Sequence, residues 1–376
     1  MPGRLLILSI LVVVWSGPSY GAENWPQFRG PLGNATADDA NPPTKWSPTE
    51  NIVWKADLPG RGASSPVVWD DRIFLTAYTG YGIDEEEPGD KTDLKLHTIC
   101  LDKKQGKILW NQSISANANT QNFSRRVADH GYATATPATD GEIVVSFFGV
   151  SGLVAYDLDG NQLWQQAVGD KTAGFGSASS PVVFEDLVYV NASIESGTLF
   201  AFDKKTGKEA WSFSPINRAW TSPCLAKTPD GKYELVVSQK DAILGFDPKT
   251  GKQLWTCAGV DDYVVPVPVS HEGVIYCLGG RTNRSIAVKL GGRGDVTKTH
   301  QLWKANIGAN VTSPVYYKGH LYWASDKAIA NCLNAETGES LYRERLPTRA
   351  RIYASIVRAG KHLYITTRDQ GVVVLG

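Results

Sequence analysis

The feature that most restricts this chain is a short phrase that recurs along it. It reads Asp203-Lys204-Lys205-Thr206-Gly207-Lys208-Glu209-Ala210-Trp211, and it returns as Asp247-Pro248-Lys249-Thr250-Gly251-Lys252-Gln253-Leu254-Trp255. Asp102 to Trp110 keeps the same spacing, Asp157 to Trp164 is one residue shorter, and Asn334 to Tyr342 exchanges both end residues. A lengthened copy ends at Trp303. The chemistry is that of a turn. Asp or Asn accepts from its own backbone two residues on, and Gly supplies the positive φ of a bulged hairpin. The aromatic residue four positions after Gly then lies on the returning strand. Each copy therefore reads as a hairpin joining a third strand, C, to a fourth, D.

A second pattern precedes each hairpin. Ser65-Pro66, Thr136-Pro137, Ser180-Pro181, Ser222-Pro223 and Ser313-Pro314 each open an apolar run. Pro at the first position of a strand costs no ladder bond, so these runs read as a strand A. A tight turn and a second apolar run, B, follow, as in Asp70-Asp71 before Arg72-Ile73-Phe74-Leu75. The unit is four antiparallel strands. The aromatic-to-aromatic period runs from 39 residues (Trp303 to Tyr342) to 56 residues (Trp54 to Trp110). A single such unit cannot bury both its faces, and periods of this length are those of propeller blades. The fold class is all-β, a β-propeller of four-stranded antiparallel blades.

Seven A-B-C sets can be counted between Ser64 and the C-terminus, but only six D strands follow them. A lone D-type segment, residues 51–58 with Trp54, stands before the first A strand. It is expected to complete the last blade beside Val372 to Leu375, removing two sheet edges. Seven blades result, with an eight-bladed parent truncated at the C-terminus as the alternative. Trp54, Trp110, Trp164, Trp211, Trp255, Trp303 and Tyr342 are the expected blade-docking residues.

The chain opens with Arg4 and the apolar run Leu5 to Trp15, followed by small residues up to Gly21. This eleven-residue run, apolar except for Ser9, is too short to span a bilayer and suits a cleaved secretory signal. The expected organisation is a signal at residues 1–21, an extension at 22–50 and the propeller at 51–376, in a periplasmic or secreted protein without a membrane span after cleavage. With 38 basic and 38 acidic residues, no global field favours nucleic acid. The five Cys (Cys100, Cys224, Cys257, Cys277, Cys332) form no CxxC pair and sit in apolar strands, so they read as buried thiols. The six His show no metal-ligating spacing, and no nucleophile elbow or phosphate loop occurs.

The Asp-x-x-Thr-Gly-x-x-x-Trp phrase resembles the repeat of quinoprotein-like propellers, the pyrroloquinoline-quinone type. Asn24-Trp25-Pro26-Gln27-Phe28-Arg29-Gly30-Pro31 resembles the start of mature chains among exported bacterial members of that group. The resemblance covers roughly residues 24 to 376 and implies a propeller that usually has eight blades. One branch consists of dehydrogenases that bind pyrroloquinoline quinone with a divalent cation such as calcium, often with a disulfide between adjacent cysteines. No two Cys are adjacent here, and no carboxylate trio can be placed. Another branch is the non-catalytic propeller of the outer-membrane assembly machinery, normally lipidated, whereas this chain has no Cys before Cys100. The resemblance implies an exported, non-catalytic binding or scaffold module with no cofactor expected. A pyrroloquinoline-quinone-dependent oxidoreductase is the alternative.

In such a propeller the D-to-A and B-to-C loops share one face. Arg61, Arg125, Arg126, Arg218, Arg349 and Arg351 fall in D-to-A connections, and Arg281, Arg284 and Arg368 fall near B-to-C turns. His130, Trp220, Tyr263 and Tyr353 stand just before A strands. Arg offers a fork for carboxylates, and Arg with aromatic residues makes the usual interface anchors. These residues are the candidate binding face for an acidic protein, peptide or glycan, unless internal carboxylates such as Asp129, Asp261 and Asp262 brace them.

Overall fold

The computed structural model describes residues 24–376, so the expected signal lies outside the described residues. Seven sheets are formed, each built on antiparallel strands taken in chain order. Blade 1 comprises Val67–Trp69, Arg72–Thr79, Lys95–Asp102 and Ile108–Ser115. Blade 2 comprises Ala138–Thr139, Ile143–Phe147, Leu153–Asp157 and Gln162–Gln166. Blade 3 has Val182–Phe184, Leu187–Ala192, Thr198–Asp203 and Glu209–Phe213. Blade 4 has Cys224–Lys227, Tyr233–Gln239, Ala242–Phe246 and Gln253–Ala258. Blade 5 follows with Val269–His271, Val274–Gly279, Arg284–Lys289 and Gln301–Ala305. Blade 6 is Val315–Tyr317, His320–Ala324, Ile329–Asn334 and Ser340–Arg345. Blade 7 has only Val357–Ala359, His362–Thr366 and Val372–Leu375 in antiparallel order.

The recurring phrase does in the fold what its chemistry requires, and more. Asp203 Oδ1 accepts from the backbone N–H groups of Lys205 (3.2 Å) and Thr206 (2.8 Å), and a bulge follows Ala201 in the C–D pairing. Gly207 has φ +68°, and the indole of Trp164, from the preceding blade, lies 2.6 Å from where a Cβ would stand. The same indole donates through Nε1 to Lys204 O at 2.8 Å. Trp110 repeats this arrangement on Gly160 and Leu158 O, Trp211 on Gly251 and Pro248 O, and Trp303 on Gly338 and Ala335 O. Gly and Trp of the phrase are thus complementary halves of a contact between neighbouring blades. Trp255 differs, because the lengthened C–D connection of blade 5 lacks the phrase. Its Nε1 donates instead to Glu234 Oε2 at 2.7 Å.

The Ser or Thr that opens each A strand ties blades together near the axis. Ser65 N donates to Thr136 Oγ1, Thr136 N to Ser180 Oγ and Ser180 N to Ser222 Oγ, at 2.8–3.0 Å. Val267 N and Ser313 N continue the series to Ser313 Oγ and Ser355 Oγ. All five Cys are buried and free, as their apolar context suggests.

Closure departs from expectation. Residues 51–58 form no strand, and among the described residues Val372–Leu375 pairs only with His362–Thr366. Trp54 does dock on blade 1 as a D-strand Trp would, with Nε1 donating to Lys103 O at 2.9 Å and its ring against Gly106. The contact that would make it the outer strand of blade 7 is absent, and the apolar cluster on that face of blade 1 (Ala77, Ile99 and Leu101, with Ile73 and Leu75) contains blade 1 residues alone. Tyr342 is 39% exposed, with no C–D turn of blade 7 against it among the described residues.

The N-terminal segment joins the two ends of the ring from the inside. Trp25 exchanges backbone bonds with Val68 of blade 1 at 2.8 and 2.9 Å, and Pro26 O accepts from Thr139 N of blade 2 at 2.8 Å. Phe28 packs on the blade 4–5 core. Arg29, 3% exposed, donates to Pro314 O of blade 6 and to Gly33 O. Burial pushes its guanidinium down to about 10. Thr36–Ala37 then runs parallel to Val357–Ala359 on the inner edge of blade 7. Residues 24–37 therefore form a plug on the A–B turn side. Replacing Trp25 with Ala is expected to raise amide exchange about tenfold in Val67–Trp69 and Val357–Ala359, a loss of ~1.4 kcal/mol of local stability, while blade 4 stays protected. Hydrogen exchange read by mass spectrometry checks this, and unchanged exchange at both ends of the ring would show that the plug does not carry closure.

Candidate binding face at the ring mouth

The D-to-A loops set the site. Ser124 caps the short helix Arg125–Ala128, its Oγ accepting from Val127 N at 3.4 Å. This turn places Arg126 over the ring of Phe175, in the next D-to-A loop, at 5.1 Å. Beside Phe175, Gly176 O accepts from Trp220 Nε1 at 2.7 Å. Trp220 meets Tyr263 edge to face at 5.8 Å, Arg281 lies over Tyr263 at 5.1 Å, and Tyr263 Oη donates to Asn310 Oδ1 at 2.7 Å. On blade 7, Arg351 donates to Tyr353 Oη at 3.1 Å, and Arg351 O accepts from Arg368 N at 3.0 Å. Arg368 in turn pairs with Asp129 just after the short helix. Arg and aromatic side chains thus link the mouth loops from Arg126 to Asn310, and the group around Arg351 joins the start of that arc through the Arg368–Asp129 pair.

The expected residues divide by their partners. Arg126, Arg281, Arg351, Trp220, Tyr263 and Tyr353 belong to the arc. Arg61 is paired with Glu85 at 4.0 Å, and Arg284 with Asp261 at 3.8 Å, so these two brace loops. Arg125, Arg218 and Arg349 are exposed. Among the described residues, no carboxylate stands within salt-bridge distance of Arg125, Arg126, Arg218, Arg281, Arg349 or Arg351.

His130 takes a different part. Its Nδ1 bonds Gly131 O at 2.9 Å, which requires a proton on Nδ1, and Nε2 is buried without a partner. Burial pushes its pKa down, so the ring is neutral. Two further groups here carried no sequence signal. Glu195, in the B–C turn of blade 3, is 1% exposed and accepts from Ser177 Oγ. Burial pushes its carboxyl up to about 7, opposed by the Ser177 bond. Thr120 is buried with its Oγ1 unpartnered. A Glu followed by Ser-Gly in a turn reads as solvated, and only the packing of two loops over it makes it buried.

Two overlapping matches, to residues 92–219 and 195–293, place more than half of the sequence in the family described as outer membrane protein assembly factor BamB. The chain belongs to this family. No curated protein matches the sequence. Among solved structures, BamB from Moraxella catarrhalis is similar with a TM-score of 0.56 and 16% identity, over 81% of this chain and 79% of that one. A quinohemoprotein alcohol dehydrogenase, ADHIIG from Pseudomonas putida HK5, is similar with a TM-score of 0.51 and 13% identity, over 83% of this chain and 62% of that one. At these identities the likeness is one of fold, a propeller of the pyrroloquinoline-quinone-repeat type shared by the family and by that enzyme. No helix among the described residues is long and apolar enough to cross a membrane.

Proposed function

We propose that this protein is an exported binding module that docks an acidic protein segment on its mouth face. The observation that carries this reading is the Arg–aromatic arc, whose guanidinium groups lack carboxylate partners among the described residues. Exposed cations held on aromatic rings keep their charge available, and such pairs anchor interfaces. Membership in a family named for outer-membrane assembly supports a protein partner and an extracytoplasmic site.

The quinone-dependent alternative draws no support from the donor set. Among the described residues, no three His, Cys, Asp or Glu side chains are grouped to hold a metal ion.

A photo-cross-linking residue at Phe175 tests the reading against one at Lys208, on the opposite face. In native envelope, Phe175 is expected to give a discrete protein adduct and Lys208 none. The double change Arg126→Ala and Arg351→Ala should reduce that adduct about tenfold, the size expected for losing one or two interface anchors, with an unchanged melting temperature. Equal adducts from both faces, or an adduct indifferent to the two arginines, would overturn it.

A further inference from the structure

Between the mouth loops of blades 2 and 3 lies a cavity of about 30 Å³. Its wall carries the hydroxyls of Thr120, Thr134 and Ser177, the amide of Gln121, and the rings of Tyr132 and Phe148. We propose that this cavity takes one hydroxyl-bearing edge of a sugar whose carboxylate substituent rests on Arg126 of the same loop: a uronic acid unit of an oligosaccharide.

The wall's chemistry selects this ligand. Thr120 is 7% exposed, and its Oγ1 has no hydrogen-bond partner. A buried hydroxyl left so costs about 1–3 kcal/mol, which a ligand hydroxyl recovers. Ser177 Oγ gives its proton to Glu195, so its lone pairs remain to accept. The wall therefore offers a donor and acceptors side by side, the complement of a sugar hydroxyl. An apolar ligand would leave Thr120, Ser177 and Gln121 unsatisfied. An anion inserted into the cavity would meet no cation at the wall and would face Glu195 behind Ser177. A metal ion lacks a ligand set. The volume matches about one water-sized group, so a single hydroxyl edge enters and the ring stays at the mouth. Arg126, spread over Phe175, sits on the loop that supplies Thr120, Gln121 and Tyr132, and its Nη1 lies 3.0 Å from where a Cβ of Gly174, three residues before Ser177, would stand.

This inference does not depend on protein docking, because it concerns the isolated protein. Calorimetric titration with a galacturonate trisaccharide and with a galactose trisaccharide tests it. The acidic sugar is expected to bind saturably and at least tenfold more tightly than the neutral one. Thr120→Val, which keeps the shape, and Ser177→Ala should each weaken both sugars about tenfold, and Arg126→Ala should bring the acidic sugar to the level of the neutral one. Gln121→Ala, at a half-buried position, is the control should either buried variant melt early, and it too should weaken both sugars. Absence of saturable binding at about 10 mM, a weaker affinity than one good anchor provides, would overturn the proposal and leave the cavity as a water site. So would binding that Thr120→Val and Gln121→Ala both leave unchanged.

Discussion

Replacing Trp255 with Ala is expected to lower the unfolding free energy by about 3–5 kcal/mol, the usual range for removing a fully buried Trp. Trp255 is 1% exposed and sits among Cys224, Cys257, Val264, Cys277 and Val288 in the largest apolar cluster. Its loss also strips a hydrogen bond from Glu234, itself 2% exposed, which then keeps its ion pair with Arg293 at 3.0 Å as its principal support. A buried carboxylate deprived of a donor adds to the cavity term, so this change belongs at the upper end of the range. Trp54→Ala should cost about half as much or less, because Trp54 is only half-buried and packs on the surface of one turn. Urea denaturation followed by circular dichroism ranks the two. Equal losses would show that blade docking, rather than burial, sets the energetics.

The second large effect is a pH-dependent gain. Glu195→Gln is expected to stabilise the protein by about 2–3 kcal/mol at pH 8 and by little at pH 5. The folded carboxyl is pushed up to about 7 by burial, above the ordinary glutamate value of the unfolded chain. Between those values the folded state binds more protons than the unfolded one. Stability therefore falls as pH rises through that window, and the loss is complete above pH 7. Glutamine removes the charge that burial penalises and can still accept from Ser177. Melting temperatures of both proteins at pH 5 and pH 8 check the sign. A difference of the same size at both values would mean that the effect lies in packing and not in ionisation.

Some of the molecule was legible because its instructions are local and repeated. Asp203, Gly207 and Trp211 stand within nine residues of one another, and turn chemistry alone assigns a bulged hairpin to them. Four copies of that spacing, with one shorter and one lengthened variant, yield blades, and the Ser-Pro openings place the A strands. The side of the ring on which Arg126, Trp220, Tyr263 and Arg351 emerge follows from strand order. The pairings that make them an arc do not. Phe175 and Asn310 had no motif, and their roles depend on loops whose conformations no repeat dictates.

The sequence by itself determined the blade, its count of strands and the docking of Trp110, Trp164, Trp211 and Trp303, because each rests on contacts within or between successive repeats. Only the tertiary structure decided how the ring ends meet. Residues 51–58 have the pattern of a D strand, yet Thr36–Ala37 and Trp25 make the junction from inside, and the segment around Arg29 fills the A–B turn side. It also decided that Glu195 is buried and that Thr120 lacks a partner. The physical reason is common to all of these. Strand periodicity and turn preference are energies of neighbouring residues, whereas plug, closure and cavity are set by surfaces brought together from separate parts of the chain, where competing pairings of similar local quality are resolved by what they bury.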